Sequence, residues 1–438
     1  MVYDVVDNSD MYVLPLSEKV KEKLPFSIFL LFPFLIGSIA ISALPGFNYL
    51  VVGFGIVCTI VFLMASLREG FYISGETKCF MAFICWGILG LFFAESWVLA
   101  SMRLLTLFQI FVMALIVSYY AQNTRCIVWL YGAVLIGILV LALSAVITGE
   151  FARSEVDGEG ARVSGLILNA NAFARAVCYG IAVLLFYFRH FRSWLIRLLM
   201  LGGILVAVRF LIASGSRQGF LGFVSLLVFW FIFSYGKEFT RRPFLVIGVL
   251  VGMVGLGVYV AYESRDTVLM QRLLRLEGGA EAEGSAGSRL VMLREGLGFM
   301  LSNPLLGIGL NNFIIRSVTE LYAHNNYIEV FSTTGIVGGL LYHLIYVLIF
   351  YRFHRLRKLP LNQAEQNVLN VFYSAMIMTV LFDLFVVSYY SKITWIMLAI
   401  IIGYLNALQR ELLVRQAVES PPEHISSRPS ELIYSGEV

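Results

Sequence analysis

The sequence predicts an all-α integral membrane protein of about twelve transmembrane helices, with one large helical loop between helices 9 and 10. The first observation is composition: 59% of the residues are hydrophobic and 14% are charged, whereas soluble domains are about half apolar and a quarter charged. The second is run length, because a spanning helix needs about 20 mostly apolar residues. The third is that the runs are apolar all round, which excludes the alternating strands of a membrane barrel.

Apolar runs of this length occur twelve times, and each predicts one transmembrane helix. The runs cover residues 26–43, 47–66, 79–95, 101–120, 126–148, 167–188, 194–213, 219–235, 243–262, 325–350, 366–387 and 391–408. The mean hydropathy of the whole chain, +0.83, agrees with this reading.

Positive charges in the short connections predict the orientation, because Lys and Arg accumulate on the cytoplasmic side. Cations stand before the first run and after every second run, as in the segments that hold Lys23, Arg125 and Arg242. The connection at 44–46, after the first run, holds none. The sequence therefore predicts that both termini are cytoplasmic. The N-terminal segment is residues 1–25, and the tail, 410–438, is expected to be disordered.

The domain organisation follows from these runs. Helices 1–9 occupy 26–262, an outer helical loop occupies 263–324, and helices 10–12 occupy 325–409. Within the loop, "GGAEAEGSAG" has the composition of a flexible linker. The next stretch, "SRLVMLREGLGFMLSNP", has apolar residues at helical spacing. Ser288 is expected to cap that helix, and Asn303-Pro304 is expected to end it.

Ionisable residues crowd the outer ends of the predicted helices. A charge within a membrane span costs about 2.5–3.5 kcal/mol on insertion scales, so each such residue is a candidate for function. The candidates are Arg162, Arg175, Arg209, Arg217, Arg289, His324 and Asp383.

Two of the arginines stand in settings that favour an anion. Arg217 lies in the turn "SGSRQG", where small residues allow backbone N–H groups to approach a ligand. Arg289 is expected at a helix N-terminus, where free N–H groups and the helix dipole favour negative charge. Because the guanidinium fork matches phosphate oxygens, two such sites facing one cavity would suit a pyrophosphate. The alternative is that these arginines reach lipid headgroups or pair with acidic residues such as Asp383.

His324 stands at the start of the tenth run, in "LYAHNNYIEVF". An imidazole titrates near neutrality and can accept a proton from a hydroxyl, so it is a candidate general base. The alternative is a capping or interfacial histidine. Neither an HExxH motif nor a Walker motif is present, and no His, Cys or acidic cluster has metal-ligand spacing. The sequence predicts no cofactor, no metal and no nucleic-acid partner.

Three stretches resemble the O-antigen ligase and polymerase superfamily. They are "SGSRQGFLG" (214–222), "GSRLVMLREGLGFMLSNPLLGIGLNNF" (287–313) and "AHNNYIEVFSTTGIVGGLLY" (323–342). The upstream segment "ARVSGLILNANAFA" (161–174) resembles a further element of the family, with Ala170 where a proline usually stands. The order of these motifs within a twelve-helix chain carries the resemblance, and each motif alone is weak.

The resemblance implies a glycosyltransferase of the Gram-negative inner membrane. Such enzymes take a glycan from undecaprenyl pyrophosphate on the periplasmic face and transfer it to an acceptor hydroxyl. In ligases the acceptor is a sugar of lipid A-core, in polymerases it is another lipid-linked glycan, and in other relatives it is a protein side chain. The large loop before His324 favours a ligase. A transporter is the alternative from a different class, although transporters show two similar halves and this chain does not.

The resemblance also suggests roles for the candidate residues. Arg217 and Arg289 are expected to bind the pyrophosphate, with Arg162 and Arg175 as further candidates. His324 is expected to activate the acceptor hydroxyl for in-line attack, which inverts the anomeric centre. Asn325, Tyr327 and Asp383 are expected to orient His324 or the sugars.

Overall fold

The computed structural model describes residues 25–41, 46–151, 162–167, 169–241 and 280–419, and these residues form helices and no strand. Thirteen α-helices are present in those ranges. They are α1 (Ile28–Ile36, continued by a π-helical turn to Ile41), α2 (Phe47–Glu69), α3 (Gly75–Gly90), α4 (Trp97–Tyr120), α5 (Thr124–Ile147), α6 (Ala170–His190), α7 (Trp194–Ala213), α8 (Arg217–Arg241), α9 (Ala280–Ser302), α10 (Phe313–Arg316), α11 (Asn326–Leu356), α12 (Gln363–Asp383) and α13 (Lys392–Glu419).

The predicted all-α membrane fold is confirmed. Within the described ranges, nine helices are long and apolar enough to cross a membrane: α2 to α8, α11 and α13. The first predicted run corresponds to the shorter apolar helix Ile28–Ile41, and the eleventh corresponds to α12. The ninth predicted run, 243–262, lies outside the described residues, as do residues 1–24 of the N-terminal segment and residues 420–438 of the tail. Residues 410–419, expected to be part of a disordered tail, instead continue α13 as helix.

Burial separates the central helices from the peripheral ones. Helix α6 is buried along nearly its whole length and packs against α5, α7, α8 and α12. Helices α2 and α7, in contrast, expose large apolar side chains such as Leu67 and Leu205. Exposing such side chains to water would cost about 25 cal/mol for each Å² of apolar surface, so these two faces are suited to lipid.

The start of α9 differs from the prediction. The helix already includes Ala280 and runs through the segment expected to be a flexible linker. Ser288 therefore lies inside the helix instead of capping it, and Arg289 is more than two turns from the helix start. The sequence "AEAE" at 280–283 explains the difference, because Ala and Glu are strong helix formers and outweigh the glycines around them. The predicted end is correct: α9 stops at Ser302, just before Asn303-Pro304.

Helix α11 is broken at Gly335, whose backbone has φ 68° and ψ −174°. A break leaves backbone groups without their helical partners, and inside a membrane these groups must find others. The carbonyls of Ser332 and Thr333 accept hydrogen bonds at 3.0 Å from the N–H groups of Ile308 and Gly309. The carbonyl of Thr334 accepts one at 2.9 Å from the indole of Trp86.

The segment 303–312 is therefore docked into the break of α11. The N–H of Ile336, just past the break, donates to the carbonyl of Pro304 at 2.8 Å. Gly307 and Gly309 also have positive φ, and a Cβ on Gly307 would lie 2.4 Å from the carbonyl carbon of Thr333. The glycine motifs thus have a structural role: they allow the loop after α9 and the broken helix to approach each other. The contact joins α9, which carries Arg289, to α11, which His324 precedes.

Candidate active site

His324 lies in the turn directly before α11. Its backbone has φ 50°, in the left-handed region, which costs an L-residue about 1–2 kcal/mol. Its half-buried ring lies 4.2 Å from the ring of Tyr322, centroid to centroid. The helix cap is Asn325, whose Oδ1 accepts the N–H of Ile328 at 3.0 Å. His324 itself is therefore not the cap, which removes one alternative explanation for its position.

The surroundings of His324 favour its neutral form. Burial and, as the smaller cause, the positive charge of Arg289 together lower the pKa of His324 to about 4. An imidazole with a lowered pKa remains unprotonated at neutral pH, so its free ring nitrogen is available to accept a proton. Arg289, in α9, is thus within electrostatic range of the histidine.

Arg175 is the second buried cation of this region. It lies in the second turn of α6 and is 6% exposed. Its Nε and Nη1 atoms are buried and have no hydrogen-bond partner among the residues that the structure describes. Its charge acts on Asp383, Tyr322 and Tyr390. Buried donors without acceptors are costly, so the unused face of this guanidinium is suited to an anionic ligand.

Tyr322 connects the arginines to His324. Burial raises the pKa of its phenol, whereas a hydrogen bond with Asn169 and the charges of Arg175 and Arg289 lower it. Tyr322 is therefore in ring contact with His324 and feels the charges of Arg289 and Arg175, three of the predicted site residues. They come from three parts of the chain that are distant in sequence.

Arg162 and Arg217 lie around the turn between α7 and α8. Arg162 donates from Nε to the carbonyl of Ser214 at 2.9 Å and from Nη2 to Oδ1 of Asn171 at 3.1 Å. The hydroxyl of Ser216 donates to the same Asn171 oxygen at 2.9 Å. Two of the Arg162 donors are thus used to hold this turn, at which the half-buried Arg217 begins α8. Arg209, in α7, is exposed.

Asp383 ends α12 and is fully buried. Its Oδ2 accepts from the amide of Asn326 at 2.8 Å and from the hydroxyl of Tyr346 at 3.0 Å, and its Oδ1 accepts from the hydroxyl of Ser388. Asn326 in turn accepts the N–H groups of Ser388 and Tyr389 at 2.9 Å. This network fastens the first residue of α11 to the end of α12.

The other two predicted supporting residues bond the backbone. Besides capping α11, Asn325 donates through Nδ2 to the carbonyl of Leu384 at 3.2 Å. The hydroxyl of Tyr327 donates to the carbonyl of Val380 at 3.1 Å. These bonds hold the start of α11 against α12 and the chain after it, so they fix the frame from which His324 projects.

The sequence analysis missed Glu329 and Arg103. Glu329 is 2% exposed and its Oε2 accepts the N–H of Ala323 at 2.8 Å. Arg103, in α4, donates to Oδ1 of Asn311 at 2.6 Å, and its guanidinium lies 3.6 Å from the centroid of the Tyr390 ring. Both residues lie inside predicted spans, so the rule that selected the other charges would have found them.

The site thus gathers at one end of the bundle, where α4, α6 and α11 begin and α12 ends. It combines a neutral imidazole, several guanidinium groups, buried carboxylates and tyrosines. Among the described residues, no three His, Cys, Asp or Glu side chains form a group that could hold a metal ion. In chemical terms, the imidazole can accept a proton from a hydroxyl, and the guanidinium groups can bind an anionic group beside it.

Comparison with known families agrees with the resemblance read from the sequence. Residues 202–343 match the family model described as O-antigen ligase. The match includes the turn before Arg217, the helix with Arg289, His324 and the broken part of α11. No curated protein matches the chain. Over residues 202–343 the match confirms the predicted relation to the O-antigen ligase and polymerase superfamily, and it does not separate ligases from polymerases.

Proposed function

Since residues 202–343 carry the O-antigen ligase match, we propose that this membrane protein transfers an O-antigen glycan from undecaprenyl pyrophosphate to a hydroxyl of lipid A-core. The reaction takes place on the periplasmic face of the Gram-negative inner membrane, with both termini in the cytoplasm. The observation that carries the proposal is the convergence of His324, Arg289 and Arg175 around Tyr322. The charges of Arg175 and Arg289 both act on Tyr322, and the ring of Tyr322 lies 4.2 Å from that of His324, which supports a base and two cations in one site.

The proposed reaction is a direct displacement at the anomeric carbon. The acceptor oxygen forms a bond to C1 of the first sugar while the bond from C1 to the phosphate oxygen breaks. Undecaprenyl pyrophosphate leaves with the bonding electron pair, and the acceptor proton moves to the ring nitrogen of His324. Attack from the face opposite the leaving group inverts the anomeric centre.

The arginines stabilise the leaving group. Negative charge grows on the pyrophosphate as the C1–O bond breaks, and fixed cations in a site of low dielectric stabilise such charge strongly. Arg175 offers two buried donors that have no partner in the described structure. Arg289 lies close enough for its charge to act on both Tyr322 and His324. Arg217 begins α8 at the turn that Arg162 holds, so Arg162 contributes by positioning that turn.

The charge of the donor is also expected to tune the base. In the free protein, burial and Arg289 lower the pKa of His324 to about 4. A bound pyrophosphate offsets the arginine charge and therefore raises the pKa of His324. The histidine then becomes a better proton acceptor only when the donor lipid is present.

This coupling predicts two different acid limbs in the pH profile of transfer. The rate requires neutral His324, so it falls as the pH drops through the pKa of that residue. The limb of kcat/KM reports the free enzyme and is expected near pH 4, whereas the limb of kcat reports the donor complex and is expected at higher pH. Arg289→Gln should move the limb of kcat/KM to higher pH. Initial rates with purified protein in detergent check this, and coincident limbs would contradict it.

Arg175→Gln is expected to weaken donor binding about 100-fold, because a buried charge-assisted contact to phosphate is lost. The unliganded protein should not lose stability, since the variant removes a guanidinium with two buried atoms that have no partner within the described ranges. The measurement is binding of the lipid-linked donor together with thermal unfolding in the same detergent. Arg209→Gln removes the same charge from an exposed position in α7 and should leave binding unchanged. Equal donor binding by both variants would exclude Arg175 from the site.

The polymerase is the main alternative within the family. Both reactions use the same donor and the same bond change, and they differ only in the acceptor. The large segment before His324 favours the ligase, because a lipid A-core acceptor needs room above the membrane. A transporter is disfavoured because the charged residues described above gather at one end of the bundle, whereas a transport path needs polar groups near the middle of the membrane.

Complementation separates these possibilities. The host is a ligase-null Gram-negative strain that still makes lipid-linked O-antigen, and it receives either the wild-type chain or His324→Ala at matched expression. A ligase gives a lipopolysaccharide ladder with the wild type, while the variant gives none and accumulates long lipid-linked glycans. If the chain instead restores long glycans to a polymerase-null host, it is the polymerase. Purified protein with defined donor and acceptor lipids removes any mismatch with the core sugars of the host.

A further inference from the structure

Glu329 is a buried carboxylate that the mechanism above does not use. It lies in the first turn of α11 and is 2% exposed. A carboxylate in a membrane helix is costly, so its contacts require a reason. Its Oε2 accepts the N–H of Ala323 at 2.8 Å, and Ala323 is the residue directly before His324.

Glu329 makes one hydrogen bond to the residue before His324 and one to the residue after it, and these bonds hold the segment 323–325 against the start of α11. The side chain of Glu329 bonds Ala323, and its own N–H donates to the carbonyl of Asn325 at 3.0 Å. Between these two contacts stands His324, with φ 50°. A residue in this conformation needs its neighbours to be fixed, and the carboxylate supplies the contact on one side.

Arg103 is the cation whose charge acts on Glu329. It reaches the site from α4 and is itself fixed, because it donates to Asn311 at 2.6 Å and lies 3.6 Å from the centroid of the Tyr390 ring. The phenols of Tyr322, Tyr389 and Tyr390 also interact electrostatically with Glu329. Arg103 thus supplies a positive charge near the Glu329 carboxylate.

We propose that Glu329 is a positioning residue, which holds the turn of His324 so that the imidazole stays beside the ring of Tyr322. The expected loss of transfer rests on the proposed function, since it assumes that His324 is the base. The geometric part does not, because the state of the His324 ring can be measured without a substrate.

The first test is the pH titration of His324 by NMR of protein labelled with ¹⁵N-histidine. The signal is assigned by its absence in His324→Ala, since the chain has five histidines. Glu329→Leu is expected to free the turn and expose the ring to water, which raises the pKa of His324 by about 1 or more towards the ordinary value near 6.5. Glu329→Gln keeps an acceptor for the N–H of Ala323 and should therefore raise the pKa of His324 by less.

Glu295→Leu is the matched control. Glu295 also fastens the segment before His324, because it accepts from the hydroxyl of Ser317 at 2.6 Å and from the N–H of Val318 at 2.9 Å. Its contacts lie several residues earlier in the chain. This variant removes a carboxylate with the same kind of bonds and should leave the titration of His324 unchanged.

The second test is transfer by the same variants. Misplacing a catalytic group by about 1 Å can cost about 100-fold, so Glu329→Leu is expected to lower kcat about 100-fold with the KM for the donor nearly unchanged. Glu329→Gln is expected to lower kcat about tenfold, because only one of the two polar atoms of the amide can accept the N–H of Ala323, whereas either carboxylate oxygen can. A structural defect alone would lower the amount of folded protein and leave kcat per folded molecule unchanged.

The outcomes separate the two proposals. If the wild type transfers no glycan to any acceptor, the proposed function fails, and the titration still decides the role of Glu329. If Glu329→Leu leaves both the titration of His324 and kcat within twofold of the wild type, the positioning role is wrong. If Glu329→Leu does not fold, Glu329→Gln decides, and an unchanged titration and kcat in that variant overturn the proposal.

Discussion

Replacing His324 with alanine is expected to slow glycan transfer by about 10²–10⁴-fold, the usual contribution of a positioned general base. The acceptor hydroxyl would then have to lose its proton to water, in a partly buried site beside the ring of Tyr322. Donor binding should persist, because Arg175 and Arg289 remain. The measurement is single-turnover transfer from a labelled lipid-linked glycan, beside equilibrium binding of the same lipid.

His354→Ala is the control for that experiment. His354 lies in the last turn of the same helix, α11, and is exposed. It should leave transfer unchanged. Single-turnover rates for His324→Ala within about tenfold of the wild type would mean that the arginines carry the reaction and that His324 only fills the turn.

The fold was largely predictable because the length of an apolar run is a strong indication of a membrane-spanning helix. An apolar run of about 20 residues leaves few alternatives to a spanning helix. The outer loop was harder, because there the choice between linker and helix depends on propensity alone. Residues 280–287 contain glycines typical of a linker, yet the Ala and Glu residues at 280–283 carry α9 through them. For the same reason Arg289 was predicted at the start of the helix, whereas the helix already includes Ala280 and Arg289 lies inside it.

The site was predictable where a charge stood in an apolar setting. That rule selected Arg175, His324 and Asp383, and the structure describes them in one region. Tyr322 carried no such signal, since tyrosine is common at membrane interfaces. Neighbouring asparagines could not be told apart either. Asn325 caps α11, whereas Asn326 bonds Asp383, and only the tertiary arrangement distinguishes them.

The role of the glycines at 307, 309 and 335 also could not be predicted from the sequence, because it depends on a tertiary contact. A glycine-rich stretch beside arginines suggests a ligand loop, yet in this chain the glycines at 307, 309 and 335 lie at a contact between two protein segments. The contact holds the loop after α9 in the break of α11. The family match spans both segments, so the resemblance is in part a resemblance of this packing. The site depends on it, because α9 and the start of α11 supply Arg289 and His324.

Gly335→Ala is accordingly expected to cost more than about 4 kcal/mol, a loss that few single substitutions reach. With φ 68° and ψ −174°, Gly335 occupies a backbone region that is essentially restricted to glycine. An added Cβ would lie 2.1 Å from the carbonyl oxygen of Leu305, which is backbone and cannot rotate away. The loop must leave the break, and the bonds that it makes to Ser332 and Thr333 are lost with it.

Thermal unfolding in detergent measures this loss, and Gly298→Ala supplies the control. Gly298 lies in α9 with open space around the position of a Cβ, so alanine should raise stability slightly through better helix propensity. Folded Gly335→Ala protein with wild-type unfolding would show that the break is not needed. A partly stable variant is more informative still: because the break joins α9 to α11, its donor binding and its transfer should fail together, whereas His324→Ala should lose transfer alone.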